Sequence, residues 1–313
     1  MVKHPKGEGG EGRFLERLRK QAGRLRGPGV VLGIGDDCAV IRAPGPEDWL
    51  FTTDLLIEDV HFRRATHRPE DVGWKALARG LSDIAAMGGE PRFCLLSLAL
   101  PRWADDRWIA GFYRGLLCLA RRERTPLLGG DIARARKLTC DIVAGGAAPR
   151  GRALRRDGAR AGDAIYVSGA LGGSALGLAT GRGQAWKRHV HPEPRLALGR
   201  FLRARLHATA AMDLSDGLSL DLRRMCLASR LSAEIEAPPV FPGATLEQAL
   251  DGGEDYELLF TVPAGVRVPG VFQGIPLTCI GTMREGRRGC PVGAVRLEGR
   301  PLAPLGYDHF RTI

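Results

Sequence analysis

Four apolar runs in the chain each end in an aspartate. They are VVLGIGDD (residues 30–37), WLFTTD (49–54), TPLLGGD (125–131) and AAMDLSD (210–216). Short apolar runs that contain β-branched residues and are closed by Gly or Thr and an acid are typical of buried strands. We therefore predict four strands whose ends bring carboxylates from distant parts of the chain into one cleft.

Helices are predicted between these strands. Residues 74–87 carry Ala, Leu and Ile at helical spacing and are followed by two glycines, which places Asp83 within a helix. Residues 13–26 and 103–122 have amphipathic helical patterns, and residues 92–100 read as a strand. The first half thus alternates strand and helix.

The composition changes at residues 147–163, which are poor in large apolar side chains and rich in Arg and Gly. A domain junction is expected there, giving domains 1–147 and 148–313. The second half has further signals: a strand at 164–168, a Gly-rich turn and helix at 168–178, a helix at 218–229 and a strand at 256–262. This alternation predicts an α/β or α+β fold of two domains.

The net charge of +11 is carried almost entirely by arginine, and it is spread along the chain of 313 residues. Clustered cations would favour a nucleic-acid partner, because they release counterions from phosphate polymers. The sequence contains no aromatic ladder or recognised nucleic-acid module, so we expect no nucleic-acid partner. A basic nucleic-acid-binding protein remains an alternative.

The seven cysteines form no CxxC pair and lie mostly in apolar stretches, which is typical of buried residues in a reducing compartment. The N-terminal sequence has no apolar h-region, and no run reaches the roughly 18 apolar residues of a membrane span. We therefore expect a soluble, cytoplasmic protein with no membrane partner.

Oxygen ligands suitable for Mg²⁺ follow the first strands. Thr52, Thr53 and Asp54 can share an ion, since Mg²⁺ prefers hard oxygen donors. Asp83 interrupts an apolar helix face, so it must be paired, metal-bound or exposed. His61 is either a half-buried core histidine or a hydrogen-bond donor to a phosphate.

Glycines precede acids at three places, in GIGDD (33–37), GGD (129–131) and GGED (252–255). Glycine lets the backbone approach an anion closely while the neighbouring carboxylate holds its counter-metal. An ordinary turn has the same composition, so each motif is open to both interpretations.

Polar residues before a predicted helix mark the second half. Asp213, Ser215 and Asp216 precede that helix, and a helix cap would account for Ser215 or Asp216 but does not require both aspartates. Arg156 either binds phosphate through two parallel hydrogen bonds or is one exposed charge among several arginines.

Other nucleotide and catalytic motifs are missing from the sequence. The Gly-rich segment 168–177 lacks the Lys-Ser/Thr ending of a P-loop and the later acid of a Rossmann fingerprint. We predict close helix packing for it, either alone or beside a phosphate. No Ser-His-Asp arrangement or kinase-type HRD and DFG set is present.

Taken in order, several motifs together resemble the thiamine-monophosphate kinase family over about residues 30 to 310. They are GIGDDCAV, TTD followed by VHF, KALARGLSDIAAMGGEP, LLGGD, GRALRRDGA, MDLSDGL, GGEDYELLF and GYDHF. That family belongs to the aminoimidazole ribonucleotide synthetase-like superfamily. The resemblance implies two α/β domains and a homodimer whose N-terminal domains build a shared sheet barrel.

The resemblance also implies transfer of the ATP γ-phosphoryl group to thiamine monophosphate, with several Mg²⁺ ions and no phosphoenzyme. Phosphoryl transfer requires mainly that two anions be positioned and their repulsion neutralised. A substrate phosphate oxygen is already ionised, so no catalytic general base is expected.

The family's functional positions are matched residue by residue in this chain. Metal positions are matched by Asp37, Thr52, Thr53, Asp54, Asp83, Asp131, Asp213 and Asp216. ATP contacts are matched by Gly130, Asp131, Arg156 and Ser215, with Tyr113 as an adenine-side candidate. Substrate contacts are matched by His61 and Glu254, with Tyr307 and Phe310 as candidates for the aromatic side chain that faces thiamine.

Two superfamily relatives are the nearest alternatives. Selenophosphate synthetases carry a reactive Cys or selenocysteine near the N-terminus, whereas the first cysteine here is Cys38. Hydrogenase maturation dehydratases end in a reactive cysteine, whereas this chain ends in Phe310-Arg311-Thr312-Ile313. A nucleotide-binding regulator that has lost catalysis is disfavoured because the acids are intact at every motif.

Overall fold

The computed structural model describes residues 10–22 and 27–310, and two sheets organise them. Within this part of the chain the first sheet has six strands in the order β1-β2-β3-β6-β4-β5. Its elements are α1 (Gly10–Ala22), β1 (Val30–Leu32), β2 (Ala39–Arg42), β3 (Glu47–Ile57), α2 (Pro69–Ala86), β4 (Glu90–Leu100), α3 (Asp106–Arg122), β5 (Leu127–Arg134) and β6 (Thr139–Pro149).

Helices α2 and α3 cover one face of the first sheet, and within the described residues the other face is open. Alternate residues of β3, such as Leu50 and Leu56, are buried beneath α2. On the opposite face Leu55 is exposed, and the rings of Trp49, Phe51 and Phe93 lie together, with Phe51 6.4 Å from Phe93. This open face is therefore apolar. Strand β5 forms one edge of the same sheet.

The second sheet is formed after residue 163 and runs in the order β14-β13-β9-β12-β7-β10-β8, with β11 paired to β12. Its elements are a 3₁₀ turn (Arg156–Gly158), β7 (Ala164–Ser168), α4 (Gly173–Thr180), α5 (Gly183–Val190), α6 (Leu196–Phe201) continued by a π turn (Leu202–Leu206), β8 (Ala210–Asp213), α7 (Leu218–Ser229), β9 (Leu231–Ile235), α8 (Leu246–Asp251), β10 (Leu258–Val262), β11 (Val271–Phe272), β12 (Ile275–Glu285), β13 (Val295–Leu297) and β14 (Arg300–Leu302).

The helix predictions are largely confirmed. Helix α2 begins five residues before the predicted residue 74, because Pro69 occupies its first turn and the side chain of Asp71 accepts from the Arg68 N–H at the cap. Asp83 lies within α2, as predicted. Helix α1 ends at Ala22, and residues 23–26 of the predicted helix lie outside the described residues.

The prediction that four buried strands end at an aspartate is correct only for β8, whose residues are all buried and which ends at Asp213. Strand β1 is short and largely exposed. Strand β3 continues past Asp54 because its pairing with β6 extends to Ile57. Strand β5 continues past Asp131 because it pairs in parallel with β4 up to Arg134.

The Gly-rich segment packs closely, as predicted. A Cβ atom added to Gly177 in α4 would collide with the carbonyl group of Ala185 in α5. None of the helices in the two described ranges combines the length and apolar character needed to cross a membrane.

Candidate active site

Three carboxylates meet between the two sheets. Oxygen atoms of Asp37, Asp83 and Asp213 all lie within 4.8 Å of one another, the one such group found among residues 10–22 and 27–310. Asp37 comes from the loop after β1, Asp83 from α2 and Asp213 from the end of β8. Elements far apart in sequence therefore deliver one acidic cluster, as the sequence predicted.

Hydroxyl groups orient two of these carboxylates. Thr52 on β3 donates a hydrogen bond from Oγ1 to Asp83 Oδ2. Ser82 Oγ donates to Asp213 Oδ2 at 2.6 Å, and Ser82 is itself fully buried. One oxygen of each carboxylate is thereby held in place, which leaves the second oxygen of each for another ligand.

The cluster carries more negative charge than its protein surroundings balance. Burial, and then repulsion from neighbouring aspartates, raises the pKa of both Asp83 and Asp213 well above the ordinary carboxyl value. Arg156 forms an ion pair with Asp37. Clustered oxygen donors with this charge deficit fit a hard divalent cation such as Mg²⁺.

The GIGDD loop fixes Arg156 through both of its acids. The Arg156 guanidinium pairs with Asp37, and its backbone N–H donates to Asp36 Oδ2 at 3.1 Å. Burial, followed by repulsion from Asp37, raises the pKa of Asp36 to about 7. Arg156 is therefore a bound side chain of the cleft, unlike the exposed surface charge that the sequence left open.

The segment Thr52-Thr53-Asp54 is divided between the two faces of β3. Thr52 and Asp54 point toward α2, where Asp54 Oδ1 is paired with Arg79 Nη2 at 2.6 Å. Burial raises the pKa of Asp54, and the Arg79 charge opposes this rise. Thr53 alternates to the open face of the sheet and is exposed.

Asp131 lies on the open face, away from the cluster. It pairs in register with Ser97 on β4 and is exposed on the edge strand β5, where it accepts from the Ile132 N–H at 2.9 Å. Strands β6 and β4 separate Asp54 from Gly130 in register, so about three strand spacings, roughly 14 Å, lie between these positions. Within one copy, Asp131 does not join Asp54.

Packing explains why residue 130 is a glycine. Gly130 has a φ of +154°, and a Cβ atom there would collide with the main chain of Leu96 on the neighbouring strand. Close approach of β5 to β4 therefore requires glycine, whether or not a phosphate also binds.

The loops after β8 and before β10 dock on each other through their backbones. The Glu254 N–H donates to the Ser215 carbonyl at 2.7 Å, and the Tyr256 N–H donates to the Leu214 carbonyl at 2.9 Å. Both Glu254 and Tyr256 have positive φ, at 65° and 50°, which is unfavourable for these side chains. Asp216 is paired with Arg224 rather than placed in the carboxylate cluster.

The three acids of GGEDYE have different surroundings. Asp255 accepts from the Gly172 N–H at 2.6 Å and the Ser174 N–H at 3.1 Å, so it anchors the Gly-rich turn. Glu257 is fully buried and pairs with Arg188 and Arg195. Their roles are structural, and Glu254 is the acid directed toward the cleft.

His61 is a neutral imidazole at the entrance to the cleft. Its Nδ1 accepts from the Ile57 N–H at 3.0 Å, which assigns the proton to Nε2. Burial, followed by the Arg79 charge, lowers the pKa of His61 to about 3. His61 can therefore donate one hydrogen bond at neutral pH without carrying charge.

The C-terminal aromatic residues diverge. The His309 ring lies 5.4 Å from the His61 ring and 4.8 Å from the Tyr307 ring. The Phe310 ring instead stacks on Phe14 of α1 at 6.0 Å. Tyr307 is thus grouped with the His61 entrance, and Phe310 is paired with the N-terminal helix.

Tyr113 lies on α3, half-buried against the core of the first sheet. Its ring meets Phe112 at 5.6 Å, edge to face. Burial, with a smaller contribution from Cys140, raises the pKa of its hydroxyl. Packing accounts for this residue, and its adenine-side role remains a prediction.

Comparisons with known proteins give the family. The AIR synthase related protein, N-terminal domain, matches residues 35–148, and the corresponding C-terminal domain matches residues 160–289. Thiamine-monophosphate kinase of Salmonella typhimurium is 40% identical over 327 residues, covering 96% of this chain and 97% of that protein. The chain belongs to the thiamine-monophosphate kinase family. The Bacillus subtilis family member is 35% identical and covers 90% of this chain and 94% of its own length.

Solved structures of this kinase family share the fold. AaThiL complexed with AMPPCP and TMP has a TM-score of 0.84 at 31% identity, covering 99% of this chain and all of that chain (100%). Thiamine-monophosphate kinase from Stenotrophomonas maltophilia has a TM-score of 0.75 at 35% identity, covering 92% and 96%. The predicted two-domain, mixed α/β fold is confirmed.

Hydrogenase maturation protein HypE in complex with ATP is also similar, with a TM-score of 0.70 over 97% of both chains. Its identity is 19%, so this likeness shows the fold alone. Membership of the thiamine-monophosphate kinase family thus favours the main interpretation of the sequence over its superfamily alternatives.

Several side chains of the site were missed by the sequence analysis. Arg79, which pairs with Asp54, lies four residues before Asp83 and so on the same face of the helix. That spacing is the sequence signal that could have identified it. His309 lies in the GYDHF motif, but no spacing or composition signal singles it out there. The remaining missed residues hold predicted site residues in place; they are Lys75, Ser82, His189 and Arg224.

Proposed function

We propose that this protein transfers the γ-phosphoryl group of ATP directly to the phosphate of thiamine monophosphate, forming thiamine diphosphate and ADP. The observation that carries the proposal is the cluster of Asp37, Asp83 and Asp213 between the two sheets, in which Asp37 and Asp213 are buried and Asp83 is partly buried. It lies beside a cleft that also has a neutral donor at His61 and a carboxylate at Glu254. The homologous AaThiL structure holds AMPPCP and TMP.

The metal-binding part of the proposal assigns Mg²⁺ to this cluster, with Thr52, Thr53, Asp54, Asp131 and Asp216 as further candidate ligands. Bound Mg²⁺ would neutralise phosphate charge and orient the reacting oxygens. The protein's own contribution is to hold the carboxylates still, through the Thr52 and Ser82 hydroxyl groups.

Arg156 and Ser215 are the proposed nucleotide contacts near the cluster, along with Gly130 and Tyr113. Arg156 is held by Asp36 and Asp37, so its guanidinium is positioned before a ligand arrives. Preorganised cationic groups stabilise the charge that spreads over a phosphoryl group during transfer.

No general base is assigned in this proposal. The attacking phosphate oxygen of thiamine monophosphate is already ionised at neutral pH, so no proton must be removed from it. His61 is neutral with its proton on Nε2, which suits hydrogen-bond donation to a phosphate. Tyr307 and Phe310 remain candidates for the side chain that stacks on thiamine.

We further propose that the protein works as a homodimer through the open face of the first sheet. Leu55 and the neighbouring rings of Phe51 and Phe93 form an apolar surface there, of the kind usually covered by a partner. Thr53 and Asp131 share this face. Since Asp131 cannot reach Asp54 within one copy, it would serve the site of the second copy.

The direct test is incubation of purified protein with Mg²⁺ and ATP, with and without thiamine monophosphate, followed by chromatography of thiamine diphosphate and ADP. Equal amounts of both products, dependent on thiamine monophosphate, are expected. ADP formed only with another acceptor would favour a superfamily alternative. Salt-dependent DNA binding without nucleotide turnover would favour the nucleic-acid alternative.

Mixed dimers test the placement of Asp131. Asp54→Ala and Asp131→Ala should each be inactive, and a randomly assorted mixture should recover about one quarter of wild-type activity, because half the dimers are hybrids with one intact site each. No recovery, with hybrid dimers verified by differential tagging, would show that both aspartates act within one copy. Full activity of either single variant would refute its metal assignment.

A further inference from the structure

The two carboxylate oxygens of Glu254 are in different situations. Oε2 accepts from Lys75 Nζ at 2.8 Å and lies 3.5 Å from His189 Nδ1. Oε1 is buried and has no hydrogen-bond partner within the part of the chain that is described. A buried acceptor without a partner is costly, so Oε1 is suited to a donor supplied by a ligand.

Lys75 is an unusual residue to find at this position. Among residues 10–22 and 27–310 it is the largest fully buried side chain, with 0% exposure. It lies on α2, which covers the first sheet, whereas Glu254 lies in the loop before β10 of the second sheet. Burial lowers the pKa of Lys75, and the Glu254 charge opposes this effect. A fully buried ammonium requires a specific partner to remain charged.

The same ammonium also holds the other proposed substrate contact. Lys75 Nζ donates to the main-chain carbonyl of His61 at 3.2 Å. One buried cation therefore joins the His61 segment to the Glu254 loop across the two domains. Because Glu254 has a φ of +65°, its loop is strained and depends on such contacts to keep its orientation.

A line of buried neutral groups supports Oε2 from the other side. His189 Nδ1 lies 2.9 Å from Ser174 Oγ, and its Nε2 lies 3.4 Å from Nε2 of His67. Burial, followed by the Lys75 charge, lowers the pKa of His67 to about 4 and that of His189 to about 3. These imidazoles are uncharged at neutral pH, so Lys75 supplies the counter-charge for Glu254.

We propose that Lys75 is a positioning residue for acceptor recognition, which fixes Glu254 so that Oε1 receives a donor or cationic group of the acceptor substrate. The acceptor class is a phosphate monoester that carries an amino-substituted or cationic heterocycle. This inference rests on the proposed function. Removal of Lys75 should weaken acceptor binding without changing the carboxylate cluster that serves the nucleotide.

The test compares Lys75→Met, Glu254→Gln and the double variant by steady-state kinetics. Lys75→Met should raise the KM for thiamine monophosphate at least about tenfold, while the KM for ATP stays within about twofold. The double variant should resemble Glu254→Gln alone, because both changes act through one carboxylate. Wild-type turnover in the same assay tests the proposed function separately.

Arg203→Met is the matched control. Arg203 Nε donates to the Gly88 carbonyl at 2.7 Å, so it also joins the two halves of the chain through a long cation. The Arg203→Met substitution should leave the KM for thiamine monophosphate and the KM for ATP unchanged. Equal rises in both KM values for Lys75→Met, or additive effects in the double variant, would overturn the proposal.

Folding is monitored by circular dichroism in every variant. If Lys75→Met alone does not fold, the double variant should still do so, because it contains no unpaired buried charge. Its KM for thiamine monophosphate is then compared with that of Glu254→Gln. A substantially higher value would mean that Lys75 acts other than through Glu254, and would refute the proposal.

Discussion

Replacing Asp83 by asparagine should stabilise the metal-free protein and abolish turnover. Two unit charges 4.8 Å apart, the upper limit of separations in the cluster, repel by about 3.5 kcal/mol at an effective dielectric constant of about 20. Arg156 already offsets the charge of Asp37, and burial raises the pKa of Asp83 well above its ordinary value, so both effects reduce the repulsion that the substitution relieves. We therefore expect a smaller net gain of about 1–2 kcal/mol at pH 8.

The assay is urea denaturation of wild type and Asp83→Asn at pH 8, in EDTA and in Mg²⁺ with ATP. Wild type should gain stability from Mg²⁺ and ATP, because ligands that bind only the folded state stabilise it by mass action. Asp83→Asn should start from a higher stability in EDTA and gain less. Its thiamine diphosphate formation should fall to background.

Asp48→Asn is the matched control for this experiment. Asp48 is more completely buried than the partly exposed Asp83, at 1% exposure, and it is satisfied by Arg42 Nε at 3.0 Å and by the Gly151 N–H at 2.7 Å. Its replacement should destabilise the protein by about 1–3 kcal/mol. If Asp83→Asn were destabilised to the same extent in EDTA, or retained the full stabilisation by Mg²⁺ and ATP, the reasoning would be wrong.

Three further predictions concern stability. Gly130→Ala should cost about 2–4 kcal/mol in urea denaturation because its Cβ meets the Leu96 main chain, whereas Gly270→Ala, with nothing within 4 Å, should be near neutral. Glu257→Gln should cost about 3–5 kcal/mol by leaving Arg188 and Arg195 without a counter-charge, and a loss below about 1 kcal/mol would contradict this. Burial, followed by repulsion from Asp37, raises the pKa of Asp36 to about 7, and burial raises the pKa of Asp221 to about 7 against the opposing charge of Arg224. The folded state then binds more protons than the unfolded state between about pH 4 and pH 7, so these two groups should lower the stability of the metal-free protein as pH rises over that window; a rise in stability with pH there would refute the assignment.

The local sequence was sufficient to predict those helices and strands whose hydrophobic pattern and end signals lie within the element itself. Helix α2 was predicted from its apolar spacing and terminal glycines, and α7 from Leu218 to Ser229 was predicted with its observed bounds. Strand β7 was also predicted as observed, because its buried alternation is local. The sequence motifs indicated the family and most of the candidate site residues.

The partners and faces of those residues depended on long-range packing. Asp54 and Asp131 follow similar apolar runs, yet one is directed at Arg79 and the other lies on the open face, because strand register sets the side of the sheet. The sequence around Lys75 is typical of a helix and gives no sign of its partner, because the ion pair with Glu254 forms only when α2 packs against the Glu254 loop. Lys75 and Glu254 are 179 positions apart, so their pairing depends on how the two halves of the chain pack together. A pattern of residues that are neighbours in the sequence does not predict such a contact.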